Sequence, residues 1–267
     1  MNDTPAIQTF PAPWEKRNLG LDAVEIEVLS DSASLEEIQR SSLGFELATV
    51  KVPNGNLALV HALEANGFRF LESQFSISLE LSSLPAQCPL HDKILRNYVL
   101  SPVSSNEVGR LQKFVNRGLF TTDRIALDPE LGLDLANRRY NHWIADMAAR
   151  QADSLQWIMT AAEPSRHAGF MMFQEDGQTI NALLGGIFPQ FQKRGAGLAM
   201  AVRPPHHFAA KGFAHYRTKV SSNNVPILRL YQSVGFRINE IVYVLRRLES
   251  RNSEHAIQRK NSTREPV

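Results

Sequence analysis

Ile180–Leu198, INALLGGIFPQFQKRGAGL, is the stretch from which the rest of the chain is read. Its first half is an apolar run of strand character, Pro189 marks a turn, and the glycine-spaced segment from Gly195 opens into the helical run Leu198 to Val202. Glycine at 195 and 197 lets main-chain N–H groups approach a ligand, and a helix N-terminus adds positive potential to them. Such a bend is an anion cradle, and a diphosphate is its natural guest. Taken alone, Gln192-x-x-Gly195-x-Gly197 also describes an ordinary tight turn.

A second segment downstream, Asn224-x-x-Ile227-x-x-Leu230-Tyr231-x-x-x-Gly235-Phe236, follows the phrase Ile187-x-Pro189-x-x-Gln192-x-x-Gly195-x-Gly197. In this order and separation the pair resembles the acetyl-CoA-binding core of the GNAT N-acetyltransferase superfamily. The resemblance implies a mixed α/β fold of the acyl-CoA N-acyltransferase type and acetyl-CoA as cosubstrate. By it, the backbone of Gln192, Lys193, Arg194, Gly195, Ala196, Gly197 and Leu198 holds the diphosphate, and the strand edge from Ala182 through Ile187 to Phe188 meets the pantetheine. Ile187 N–H faces the thioester carbonyl, Asn224 bonds the pantetheine arm, and Tyr231 is the general acid. A phenol with a pKa near 10 can donate to a thiolate whose thiol pKa is roughly 8.5. An aromatic residue on an amphipathic helix can equally be simple packing against a sheet.

The bulk properties bound the rest. With 267 residues and 43% hydrophobic side chains, one large domain or two small ones can be packed. A net charge of +2 and a pI near 8.7, without a dense basic run, give no case for nucleic acid. A single cysteine, Cys88, excludes an internal disulfide and fits a reducing compartment. No apolar run reaches the ~18 to 20 residues of a membrane span, and the N-terminus lacks the pattern of a secretory signal, so the cytoplasm is the expected location.

In chain order, the residues up to Pro13 read as an extended arm. A strand over Val24–Leu29, a helix opened by the capping box of Ser34 and Glu37, a strand over Phe45–Val52, a helix over Leu57–Ala65 and an alternating strand around Phe75–Leu81 follow. Sliding the chain by 168 positions places Lys51-Val52 on Lys219-Val220, Asn56 on Asn224, Gly67-Phe68-Arg69 on Gly235-Phe236-Arg237 and Glu72 on Glu240. Residues 1–82 are therefore read as a degenerate half-copy, with Leu63 where the second half has Tyr231. Residues 83–94 read as a linker, 95–248 as the complete catalytic domain with order β-α-α-β-β-β-α-β-α-β, and 249–267 as a disordered tail. Pro204-Pro205 is expected to kink or break the helix after the glycine loop near Val202–Arg203.

No base follows from spacing. Asp123, Glu163 and His142 are the candidates nearest the expected cleft, and His206-His207 lacks the partners a metal would need, so no metal is assigned. A narrower similarity, to the dTDP-fucosamine acetyltransferase group, is carried by Pro13-Trp14-Glu15, Leu19-Gly20, the Phe120–Asp128 loop with Arg124, and Arg139-Tyr140-x-x-Trp143-Ile144. It implies a small-molecule amine acceptor, an amino sugar on a nucleotide, with Arg124 facing the nucleotide diphosphate, and it allows a homodimer. The rival readings are a peptide or protein N-acetyltransferase and a non-catalytic acyl-CoA-binding protein.

Overall fold

The computed structural model describes residues 5–84, 88–150, 154–163 and 166–249. The elements in order are β1 Ile7–Pro11, α1 Trp14–Leu19, β2 Ala23–Val28, α2 Leu35–Ser41, β3 Leu47–Pro53, α3 Leu57–Ala65 and β4 Arg69–Glu80. They continue as α4 Pro89–Asn97, β5 Tyr98–Pro102, α5 Val108–Val115, α6 Arg124–Leu127, α7 Gly132–Arg150, β6 Leu155–Thr160, β7 His167–Asp176 and β8 Thr179–Ile187. The last are α8 Ala196–Ala210, β9 His215–Ser221, α9 Val225–Ser233 and β10 Arg237–Leu248. Among the described residues no helix is long and apolar enough to cross a membrane.

The described residues form two compact units, 5–70 with 244–249, and 71–243, the division falling inside β4 and β10. The reading from sequence places its boundary at residue 82 instead. In the first unit the strand order is β1-β2-β3 and then the end of β10, with β1 antiparallel and β3 parallel to β2. Its core is the alternating inner face of the strands, Ile26, Val50 and Val52, closed by Ile38, Leu63 and Phe68. The capping box that opens α2 is formed: Glu37 N–H donates to Ser34 Oγ at 3.2 Å, and Ser34 N–H to Glu37 Oε2 at 2.9 Å.

The second unit has the order β10-β4-β9-β8-β7-β6-β5. Strands β5 to β8 form an antiparallel meander, β9 runs parallel to β8, and β4 is antiparallel to β9. The pairing of β8 with β9 is short, joining Thr179–Ala182 to His215–Thr218. Opposite β7 the register moves from Phe173↔Ala182 to Met172↔Leu184, so Leu183 is a bulged residue, and a bulge bends the strand that carries it. From there β8 stays on β7 up to Ile187 while β9 stays on β4 up to Ser221, and the two parallel strands part. Thr218 Oγ1, donating to Ala182 O at 2.8 Å, closes the fork.

Three consecutive elements repeat with the same bounds after 168 residues: β3, α3 and β4 against β9, α9 and β10. Their turns share bonds as well, since Phe68 N–H donates to Leu63 O at 3.1 Å and Phe236 N–H to Tyr231 O at 3.0 Å. Gly67 and Gly235 carry the positive φ of both turns, 87° and 99°.

Several expectations need correction. The arm up to Pro13 contains the strand β1, which is short and mostly exposed, and α1 follows it directly. The segment read as linker is helical from Pro89, a residue suited to the first turn of a helix; 85–87 lie outside the described residues, as does the tail from 250. Residues 120–129 hold the short helix α6.

The largest correction concerns α8, which runs unbroken from Ala196 to Ala210 through Pro204 and Pro205. Two interior hydrogen bonds are forfeited, yet Ala199, Met200, Ala201, Val202, Phe208 and both prolines are buried, and tertiary burial of this kind outweighs local propensity. Pro204→Ala restores a donor for Met200 O and is expected to raise the free energy of unfolding by about 1–2 kcal/mol, less than the ~3 kcal/mol cost of an interior proline because the unfolded chain also gains freedom. Urea denaturation of the two proteins measures it.

Candidate functional site

The fork between β8 and β9 opens into a cavity of about 760 Å³ within the second unit. One side of the fork is the free edge of β8. Phe188 N–H bonds Ala168 O, which makes Gly169↔Ile187 a non-hydrogen-bonded pair and turns the N–H and C=O of Ile187, and of Gly185 two residues earlier, away from β7 toward the opening. The strand edge assigned from sequence to a pantetheine arm therefore has backbone groups to offer.

Beyond Ile187 the chain makes a single turn over Pro189–Phe191 and enters the glycine loop. Phe188 does not face a ligand. Its ring is fully buried, stacked on Phe114 at 3.9 Å between centroids, its N–H is taken by Ala168 and its carbonyl accepts Phe191 N–H. It roots the loop, which corrects its placement among the cofactor residues. Gln192 is likewise spent on the loop, its N–H on Pro189 O at 3.2 Å and its Nε2 on Ile187 O at 3.3 Å.

From Lys193 to Leu198 no backbone N–H has an acceptor among the described residues. Lys193 (φ 59°) and Gly195 (φ 85°) turn the chain through the left-handed region immediately before α8, so six successive donors and the helix N-terminus converge. Tyr98, the first residue of β5, anchors the bend by donating from its hydroxyl to Arg194 O at 2.9 Å. Lys193 and Arg194 are exposed and add two positive charges.

On the β9 side, Asn224 stands at the N-terminus of α9, lines the cavity, and makes no side-chain cap. About two turns on, Tyr231 is 4% exposed, packs against Phe236 at 4.6 Å and lines the same cavity. Its hydroxyl has no hydrogen-bond partner among the described residues, and burial raises the phenol far above its ordinary range. Phenol and loop amides thus lie on the two arms of one fork.

The remaining wall is aromatic and charged. Phe120 lies 4.5 Å from Tyr140, Tyr140 6.4 Å from Trp143, and the Arg139 guanidinium 5.9 Å from the Trp143 ring. Arg124 lines the cavity as well, with its guanidinium 3.7 Å from Glu72 and its side chain 14% exposed. Of the three acid–base candidates, Asp123 lines the cavity but spends Oδ1 on the N–H groups of Ile125 and Ala126. Glu163 pairs with Arg166 at the surface, and His142 is not part of the lining. Among the described residues no cluster of three or more His, Cys, Asp or Glu could hold a metal ion.

No family model matches the chain, and no curated protein matches it in sequence. Solved structures do resemble it. A GCN5-related N-acetyltransferase from Sphaerobacter thermophilus aligns with a TM-score of 0.60 at 11% identity over 91% of this chain and 76% of that one. A functionally unknown conserved protein from Staphylococcus epidermidis aligns at 0.65 and 11% over 94% of both. A GCN5-related N-acetyltransferase from Kribbella flavida aligns at 0.51 and 12% over 86% and 84%. At such identities the likeness is one of fold, and the large mixed sheet described above is the fold those acetyltransferases share.

Proposed function

We propose that the chain is an acetyl-CoA-dependent N-acetyltransferase. The observation that carries the reading is the parting of β8 from β9, which leaves a free strand edge leading to six uncommitted loop amides on one side and an unbonded phenol on the other. These residues fit acetyl-CoA as a substrate. The amides from Lys193 to Leu198 would take the diphosphate, Gly185 on the free strand edge the pantetheine amides, and Asn224 the same arm from the opposite side.

In the reaction a C–N bond forms between the acceptor and the acetyl carbonyl while the C–S bond breaks. Ile187 N–H would meet the oxygen on which negative charge develops, and Tyr231 would protonate the departing sulfur. Burial keeps the phenol protonated across any working pH, so the proton is there to give.

For the acceptor we propose an amino sugar on a nucleotide. The Phe120, Tyr140 and Trp143 rings supply flat apolar surface of the kind sugar rings and bases pack on, and Arg139, Arg217 and Lys219 supply positive charge along the lining. We also read residues 47–80 as a degenerate copy of 215–248, on the matching bounds and turn bonds, with Leu63 replacing the phenol.

A panel of primary amines, including nucleotide-linked amino sugars, peptides and polyamines, assayed for release of free CoA, tests the function. Release with a nucleotide-linked amino sugar is expected. Release confined to peptides overturns the proposed acceptor, and tight acetyl-CoA binding without release from any amine reduces the protein to a binder.

A further inference from the structure

The cavity holds a carboxylate that no motif in the chain announces. Glu72, on β4, is 3% exposed and lines the cavity, and its buried Oε2 has no hydrogen-bond partner. Oε1 stands 3.7 Å from Arg124 Nη1, and the Ser221 side chain also approaches the carboxylate. Native proteins rarely leave a buried acceptor unmet, and where they do a ligand is a common reason. Its place is fixed on both sides. Gln74 pairs with Ser221 across β4 and β9, Ser73 N–H donates to Ser222 Oγ at 3.1 Å, and Ser222 N–H donates back to Ser73 O at 2.8 Å. That ties Glu72 to the turn opening α9, the helix that carries Tyr231.

Resting on the transferase reading above, we propose that Glu72 receives the acceptor's amine, holding the ammonium on its carboxylate and taking its proton. The overall change converts an ammonium and a thioester into an amide, a thiol and one proton. Nitrogen therefore loses two protons. One is matched by the proton that Tyr231 delivers to sulfur, and the other passes to the Glu72 carboxylate and on to water.

The other charged groups on the cavity are less suited. Asp123 is engaged as the cap of α6, and Glu240, on β10, is exposed and accepts Ser76 Oγ at 3.2 Å. Arg124 from α6, Arg139 from α7, and Arg217 and Lys219 from β9 would repel an ammonium rather than deprotonate it. Burial raises the Glu72 carboxyl above its usual range, with Asp123 acting the same way and Ser221 and Arg124 opposing. A carboxylate shifted toward neutrality is a better base than an exposed one.

The test is an equilibrium titration followed by NMR of the whole protein with CoA present, so turnover is not needed. D-glucosamine is compared with D-glucose, and 1,4-diaminobutane with 1,4-butanediol. The wild type is expected to favour at least one amine over its hydroxyl analogue by about tenfold. Glu72→Gln should abolish that preference and Glu240→Gln should keep it. In the wild type the preference should fade as pH falls through the raised Glu72 carboxyl, because the protonated acid no longer attracts an ammonium, and this arm stands even where Glu72→Gln fails to fold. A wild type indifferent to the amine, a preference that survives Glu72→Gln, or one that does not respond to pH overturns the proposal. The amine panel judges the transferase reading separately: no CoA release from any amine sinks that reading while the titration still decides Glu72.

Discussion

Tyr231→Phe is expected to lower kcat roughly 100-fold to 1,000-fold, the range a positioned general acid supplies, while leaving acetyl-CoA affinity within about twofold. The substitution removes one oxygen from a ring that otherwise keeps its packing on Phe236, so α9 and the fork should be undisturbed. Because the hydroxyl has no hydrogen-bond partner among the described residues, no protein group is orphaned by its loss. The position 168 residues earlier carries Leu63, fully buried, in front of a turn closed by the same backbone bond, so that bond forms there without a hydroxyl. Burial disfavours the phenolate, and it disfavours a bare thiolate in the same cavity for the same reason, so proton transfer from oxygen to sulfur remains well matched. Steady-state kinetics with a reactive amine, alongside calorimetry with acetyl-CoA, separates the two parameters. An unchanged kcat would mean that Tyr231 only packs.

What the sequence made legible, and what it hid, follows the range of the interactions involved. The strand character of β8 was readable because an apolar run bounded by Asp176-Gly177 and Pro189 is a local signal, and the place of α9 because Asn224 and Gly235 bracket it. The bend itself is a local signal, but which of its N–H groups stay unpaired is not, since that of Phe188 depends on Ala168 and that of Gln192 on the tightness of the turn at Pro189. β1 was hidden because four of its five residues lie exposed and carry no alternation. Glu72 was hidden for another reason. Its partner Arg124 and its neighbour Ser221 lie far along the chain and meet it only through the pairing of β4 with β9, which no period or motif near residue 72 reports. Pro204-Pro205 misled in the opposite direction, because a local rule was strong and the burial of α8 was stronger.

Gly197→Asp should separate the stability of α8 from its capacity to bind. Gly197 is the second residue of the helix and has ordinary helical backbone, and a Cβ there would meet Leu230 Cδ2 at 3.7 Å, a normal contact. Replacing glycine by aspartate inside a helix gains about 0.3 kcal/mol of propensity, and an acidic group in the first turn adds a further ~0.3 to 1 kcal/mol through the helix dipole. Thermal unfolding should therefore be unchanged or shifted upward. Acetyl-CoA binding should respond in the opposite sense, since the new carboxylate occupies the field of the amides that the diphosphate would use. Two like charges about 4 Å apart near a protein surface repel by up to ~4 kcal/mol, and discounting half of that for exposure and salt still weakens Kd by about 30-fold. Gly197→Ala supplies the bulk without the charge and should cost far less. The gap between the two variants should narrow as salt rises from about 0.05 to 0.5 M, because repulsion between exposed charges is screened while steric exclusion is not. A stable Gly197→Asp protein that binds acetyl-CoA as tightly as the wild type would place the diphosphate elsewhere, and the loop from Lys193 to Leu198 would then be a turn and nothing more.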